Sequence, residues 1–235
     1  MKYILTVSFV LIGVLSLVAC SPSQQKSLDK ALAAWSQEKY SEAFTLFEPL
    51  AKKGVAEAQY HLGVMYEEGK GARIDYAEAA RWYEMAAEQE HAIAQNYLGI
   101  LHMKGLGVTR DPEAARKWFE KSAAQDYAGA SYNLGLIYYL GEGVLQNDTE
   151  AVKWIHKAAE GGLMEAQLTL SKAYMAGRGI TQDPVAAYVW LDVVAVDGDL
   201  EVVVMRDQLA DTLTPEQLEE AKKQSQIWKD RFTGP

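Results

Sequence analysis

Residues 54–89 read GVAEAQYHLGVMYEEGKGARIDYAEAARWYEMAAEQ, and three further copies follow at a step of 36 residues without an insertion. Leu62-Gly63 returns as Leu98-Gly99 and Leu134-Gly135, and as Leu170-Ser171 in the fourth copy. The loop pair Gly69/Gly71 returns as Gly105/Gly107, Gly141/Gly143 and Gly177/Gly179. Asp75 returns as Asp111, Asn147 and Asp183, and Trp82 as Trp118, Trp154 and Trp190. A fixed period of this size marks a repeat array, in which no unit can bury its apolar face alone and each must stack on the next.

Within the first copy, Ala58, Leu62, Met65 and Tyr66 have the spacing of one helix face and predict a helix, A, over about residues 55–68. Ala79, Trp82, Tyr83, Ala86 and Ala87 form an i, i+3, i+4, i+7, i+8 stripe and predict a second helix, B, ending near residue 89. Gly69 stands where a helix C-terminus needs positive φ, and Asp75 stands at the N-cap of helix B. Its equivalents agree, since Asp111-Pro112 and Asp183-Pro184 put proline at the first helical position and Asn147 precedes Glu150 by three. Small residues at Ala58, Ala94, Ala130 and Ala166 let helices approach closely, and the tryptophan of each B helix can fill the gap between units. The expected fold is all-α, a right-handed α-solenoid of stacked helix-turn-helix units.

The pattern A-x-A-x-x-x-LG-x-x-Y-x-x-G-x-G-x-x-x-D-x-x-x-A-x-x-W-[YF]-x-x-A-A resembles the Sel-one-like repeat, a subclass of the tetratricopeptide-repeat superfamily, over residues 54–198. The departures are few. Glu90 and Asp126 replace the turn glycine kept at Gly54, Gly162 and Gly198; Ser171 replaces a glycine; His102 replaces a tyrosine and is expected to be a hydrogen-bonded interface residue.

Residues 1–20 read MKYILTVSFVLIGVLSLVAC, a lysine, an apolar run and the only cysteine of the chain. The run is too short for a comfortable membrane span and fits a secretory signal, and Leu17-Val18-Ala19-Cys20 resembles the bacterial lipobox. Acylation of Cys20 is therefore expected, and two or three acyl chains suffice for stable anchoring. Ser21 after the cysteine, by resemblance to proteobacterial sorting, favours the outer membrane facing the periplasm. Residues 21–26 then form a short linker, 27–53 a degenerate N-terminal repeat, 54–89, 90–125, 126–161 and 162–197 four repeats, and 198–235 C-terminal capping helices. Thr214-Pro215-Glu216-Gln217 has the capping-box start of the last helix.

The formal charge is −9 with no Lys/Arg cluster, which argues against nucleic acid and against attraction to anionic lipid. The histidines, His61, His91, His102 and His156, form no metal-ligand spacing, the Gly-x-Gly loops lack the Lys-Ser/Thr ending of a phosphate loop, and no catalytic set stands out. No cofactor, metal or enzymatic activity is expected. The columns that vary between copies carry the remaining signal. The resemblance implies that helix A lines a concave surface, where Tyr60, His61, Tyr97, Met103, Tyr132, Asn133, Tyr139 and Met175 would form a groove for a partner peptide or helix. Packing between neighbouring repeats is the competing reading of several of these residues. The expected role is a non-enzymatic envelope adaptor binding another envelope protein. A peptidoglycan or glycan binder using the tyrosines, or a cell-wall hydrolase, are the alternatives.

Overall fold

The computed structural model describes residues 21–195 and 200–233. Residues 1–20, with the signal-like run and Cys20, lie outside the described residues, as do Gly198 and the last two residues. The described chain is helical throughout: α1 Pro22–Ser36, α2 Tyr40–Ala51, α3 Ala56–Glu68, α4 Tyr76–Ala87, α5 Ala92–Lys104, α6 Pro112–Ala123, α7 Ala128–Leu140, α8 Asp148–Glu160, α9 Met164–Ala176, α10 Pro184–Val194, α11 Leu200–Ala210 and α12 Pro215–Thr233. From α1 to α11 each helix packs on its neighbours in the chain, and α12 folds back on α10, so the described chain is an α-solenoid with a closed C-terminal end. No described helix is long and apolar enough to cross a membrane.

Local signals and structure agree within each unit. Asp75, Asp111 and Asp183 each accept two backbone N–H groups at the start of α4, α6 and α10, and Asn147 accepts the N–H of Glu150. Gly69, Gly105, Gly141 and Gly177 close the A helices in the left-handed conformation. The second loop glycine has a different reason. Gly71 (φ +77°) abuts the preceding unit so closely that a β-carbon would come within 2.5 Å of the Tyr40 carbonyl oxygen, and Gly107 meets the Tyr76 carbonyl in the same way. The loop of one unit thus seats on the first turn of the previous B helix, which fixes the step of the stack.

The tryptophan column fills the seams as the pattern requires. Trp82 packs into the cluster of Leu28, Ala31, Phe47 and Leu62, joining repeat 1 to the degenerate unit. Trp118, Trp154 and Trp190 each pack against the apolar cluster built on the B helix before their own.

Two expectations are corrected. Residues 22–26 are the first turns of α1, not a linker: Pro22 takes the first helical position, and Ser21 and Gln24 exchange hydrogen bonds in a capping box. Helix B of repeat 1 ends at Ala87 because the chain turns through Glu90, which adopts φ +63° in place of glycine; Asp126 (φ +61°) and Glu38 (φ +58°) do the same.

At the C-terminal end Thr214 and Gln217 form the expected capping box. Asp192 of α10 binds both Ser225 and Lys229 of α12 at 2.6 Å and reaches Arg206 of α11 at 3.5 Å, pinning the cap onto the last repeat.

Candidate interaction surface

The A helices α3, α5, α7 and α9 lie side by side, since residues one repeat apart touch across them: Tyr60 meets Tyr97 at 6.0 Å between ring centroids, Asn133 donates to Asn96 at 2.8 Å, and the hydroxyls of Tyr132 and Thr169 stand 3.3 Å apart. This shared face is where the variable columns fall, and its chemistry changes along the array.

The N-terminal part is an aromatic cluster. The Tyr60 ring lies at 4.9 Å from His91, 5.1 Å from His61 and 6.2 Å from Tyr83, while Tyr97 stacks on Tyr83 at 5.3 Å. Burial pushes the hydroxyls of Tyr60 and Tyr83 well above the usual phenol range and raises that of Tyr97, so these rings are neutral spacers. His61 is only 8 % exposed and stacks on Phe47 at 4.7 Å, so it is a packing residue and not part of an open groove. The reason is local: the A helix of the degenerate unit brings Trp35 over it at 5.2 Å.

Glu57 sits between two imidazoles, 3.2 Å from Nε2 of His61 and 3.1 Å from Nε2 of His91. Hydrogen bonds from His61 and His91 hold its carboxyl far below the usual range, against the effect of burial. His91 Nδ1 accepts the backbone N–H of Ala94, so His91 caps α5 with one nitrogen and donates to Glu57 with the other. Among the described residues no group of His, Cys, Asp and Glu could hold a metal ion.

The C-terminal part is more open. Tyr139 lies under the Arg178 guanidinium at 3.6 Å, and Arg178 is itself held by both carboxylate oxygens of Asp148. Met175 is 36 % exposed on the same side. Between these two regions, Met103 and Asn133 line a cavity of about 270 Å³ together with Ile100, Phe119, Leu136 and Ile137. The eight sequence-predicted residues therefore divide in three. Tyr60, His61 and Tyr97 belong to the aromatic cluster, Met103 and Asn133 to the cavity, and Tyr132, Tyr139 and Met175 to the α7–α9 side.

Sequence reasoning missed several residues. His91 and Glu57 were hidden because they sit at the edge of the helix A stripe; the column Val55, His91, Tyr127, Leu163 varies enough to have marked the first. Gln59, Gln95 and Gln167, buried and at the same position of repeats 1, 2 and 4, each donate to the carbonyl of the residue eight positions earlier, at the end of the preceding B helix. That column was legible as a buried polar repeat. His102, expected to be hydrogen-bonded, has a buried Nδ1 without a partner among the described residues.

Comparison with known proteins fits this geometry. The family model of the Sel1 repeat matches residues 56–91, 92–127, 128–163 and 165–192. The crystal structure of a Sel1 repeat protein from Oxalobacter formigenes superposes with a TM-score of 0.67 at 29% identity, covering 84% of each chain. A second similar structure is c5321, a protective antigen of uropathogenic Escherichia coli strains with the same repeat fold, with TM-score 0.55 and 28% identity over 89% of this chain and 54% of that longer one. A sel1 repeat protein from Klebsiella pneumoniae subsp. pneumoniae has TM-score 0.54 at 19% identity, covering 80% of this chain and 93% of that chain, and shows the fold alone. None of the curated proteins matches the sequence. With four repeats matched across more than half of its length, the chain belongs to the Sel1 repeat family.

Proposed function

We propose that this chain is a lipid-anchored protein of the bacterial envelope, acylated on Cys20 at the outer membrane, whose A-helix face holds a segment of another envelope protein. Sel1 repeat proteins are in general protein-binding scaffolds, which supports the binding half of the reading. The observation that carries it is the division of labour between columns. Capping, loop-glycine and tryptophan positions keep their residue type through four copies, with Asn147 the one change among the caps, while the A-helix columns change character along the array: Tyr60/Asn96/Tyr132/Leu168, His61/Tyr97/Asn133/Thr169 and Glu67/Met103/Tyr139/Met175. A scaffold needs only the first set; a surface that discriminates a partner needs the second.

The anchoring half rests on Leu17-Val18-Ala19-Cys20. Since Ser21 already caps α1, acyl chains on Cys20 would hold the first helix directly at the bilayer surface. The net charge of −9 gives the chain no attraction to anionic lipid, so the acyl chains must supply the affinity.

Metabolic labelling with an alkyne fatty acid tests the anchor: the full chain should incorporate it and fractionate with membranes, and Cys20→Ala should do neither. In-cell crosslinking from the same membranes tests the surface. A defined protein captured by the intact chain and lost from a folded Tyr139→Asp, Met175→Asp variant supports the adaptor. Equal capture by both would move binding off this face, and co-purifying cell-wall fragments with no protein would replace the adaptor with a glycan binder.

A further inference from the structure

Successive junctions between A helices are built from equivalent positions but end differently. Between α3 and α5 the space is full: Tyr97 stacks on Tyr83, and the Tyr83 hydroxyl donates to Glu67 at 2.6 Å. One repeat later all four positions have changed character. Phe119 stands where Tyr83 did, Met103 replaces Glu67, Lys104 replaces Glu68, and Asn133 replaces Tyr97. Phe119 has no hydroxyl to satisfy and Met103 no charge, so the floor has become wholly apolar. Asn133 is too short to cover it and bonds to Asn96 instead.

The result is the cavity of about 270 Å³ above Phe119, walled by Ile100, Met103, Leu136 and Ile137. Leu140, 68 % exposed, stands at its mouth with the Arg110–Glu142 ion pair and Lys104. Among the described residues Lys104 has no carboxylate partner. At the following junction Tyr139 occupies the position of Met103 and Arg178 covers it.

We propose that this cavity is an anchor pocket for one aromatic side chain of an extended partner segment, with a carboxylate beside that residue held by Lys104. The guest ring would lie on Phe119 as Tyr97 lies on Tyr83, completing the stacking pattern that the array itself shows one repeat earlier. Interface energy concentrates in such buried aromatic anchors, and an unneutralised cation at the rim sets the sign of the neighbouring charge. The inference rests on the scaffold reading and specifies one point of contact within it.

The probe is the dipeptide acetyl-Phe-Asp-amide, titrated into the full chain in detergent with its Ile, Leu and Met methyl groups labelled for NMR. Saturable shifts are expected at Ile100, Met103, Leu136, Ile137 and Leu140. Acetyl-Phe-Lys-amide should bind about twofold to fivefold more weakly, the range of an exposed charge pair, and Lys104→Glu should reverse that order. Asn133→Tyr, which puts back the ring found at Tyr97, should abolish the shifts. Leu140→Asp, at an exposed position that does not threaten folding, should weaken them. Shifts that do not saturate, or that persist in Asn133→Tyr, overturn the pocket; equal affinity for the two dipeptides overturns the role of Lys104. Crosslinking separates this from the scaffold reading. If folded Asn133→Tyr captures the same partner as the intact chain, the pocket falls and the scaffold stands. If the intact chain captures no protein, the scaffold reading falls and with it the partner assigned to the pocket, even when the dipeptide saturates.

Discussion

The junction between repeats 1 and 2 and the junction between repeats 2 and 3 have the same period and helix order, yet different bonds hold them. In the first, Gln95 donates to the carbonyl of Ala87 at the end of α4, and Gln125 donates to Gln95 in turn. In the second, the glutamine column holds Ser131, whose buried hydroxyl finds no partner among the described residues, and the carbonyl of Ala123 accepts from Lys157 of α8 at 2.7 Å. A helix C-terminus leaves carbonyls without intrahelical partners, and a buried one needs a donor from somewhere. The comparison teaches that the backbone fit of loop on helix sets the stack, while the donor serving each seam is interchangeable.

If the loop seat sets the stack, breaking it should cost most. Gly107→Ala places a methyl group against the Tyr76 carbonyl and forces a left-handed alanine (φ +70°), so we expect a loss of about 3 kcal/mol or more. Gly143→Ala, at the next junction, meets only the β-carbon of Pro112 at 2.9 Å and should cost less. Urea unfolding of both variants, followed by circular dichroism, checks the order. Equal losses would mean that the two seats are alike and that the clash is relieved elsewhere.

The seam donors come next. Gln95→Ala removes the side-chain donor of the Ala87 carbonyl, which keeps the Glu90 N–H at 3.1 Å, and should cost about 0.5–1.5 kcal/mol; Lys157→Met should cost a similar amount at the neighbouring seam, where the Ala123 carbonyl keeps the Asp126 N–H at 3.1 Å. Ser131→Gln offers the missing amide and should stabilise by about 1 kcal/mol. In that background Lys157→Met should become nearly neutral, because the introduced amide then takes the lysine's place beside the Asp126 N–H on the Ala123 carbonyl. A double-mutant cycle measures the coupling directly, and additivity of Ser131→Gln and Lys157→Met would show that the two donors do not compete.

The bridge from Glu57 to His61 and His91 occurs only at the first of these junctions among the described residues. Its carboxyl has a depressed pKa in the folded state, so its contribution is present above the unfolded carboxylate value of about 4.3 and is lost as pH falls below it. Glu57→Gln should therefore lower the melting temperature near neutral pH, with the gap to the parent closing below about pH 4. A gap that stays constant across that range would remove the ionised carboxylate from the account.

Most of the fold was legible because its cause is periodic. The aspartate caps, loop glycines and tryptophans recur at 36 residues, and each does the same job in every copy. Ser21-Pro22-Ser23-Gln24 carried a readable capping box, but its position beside the lipobox invited the reading of a polar linker. The surface was less legible, since a variable column says that a position is free to differ and not which way its side chain turns. His61 and Tyr60 are adjacent in one variable stretch, yet Trp35 and Phe47 of the degenerate unit bury the first and leave the second only partly buried. The cavity needed coordinates, because it arises from four substitutions whose joint effect appears only when α5, α6 and α7 are packed together.

The smallest effect concerns the turn that leads into each junction. Glu90 and Asp126 hold the left-handed conformation that Gly54 and Gly162 adopt without a β-carbon, at a cost of about 1–2 kcal/mol per residue. Glycine at either position relieves that cost but frees the unfolded chain, so the net gain is reduced to about 1 kcal/mol or less. The two sites should not gain equally. Asp126 pairs with Lys157 at 3.0 Å, and that lysine also serves the Ala123 carbonyl, so Asp126→Gly gives up an ion pair that helps to place the seam donor. Glu90→Gly is therefore expected to stabilise more than Asp126→Gly, and the difference should shrink in high salt, where the ion pair is screened. Parallel urea melts at low and high ionic strength would show it; an Asp126→Gly gain as large as that of Glu90→Gly would mean that Lys157 is held by the carbonyl alone.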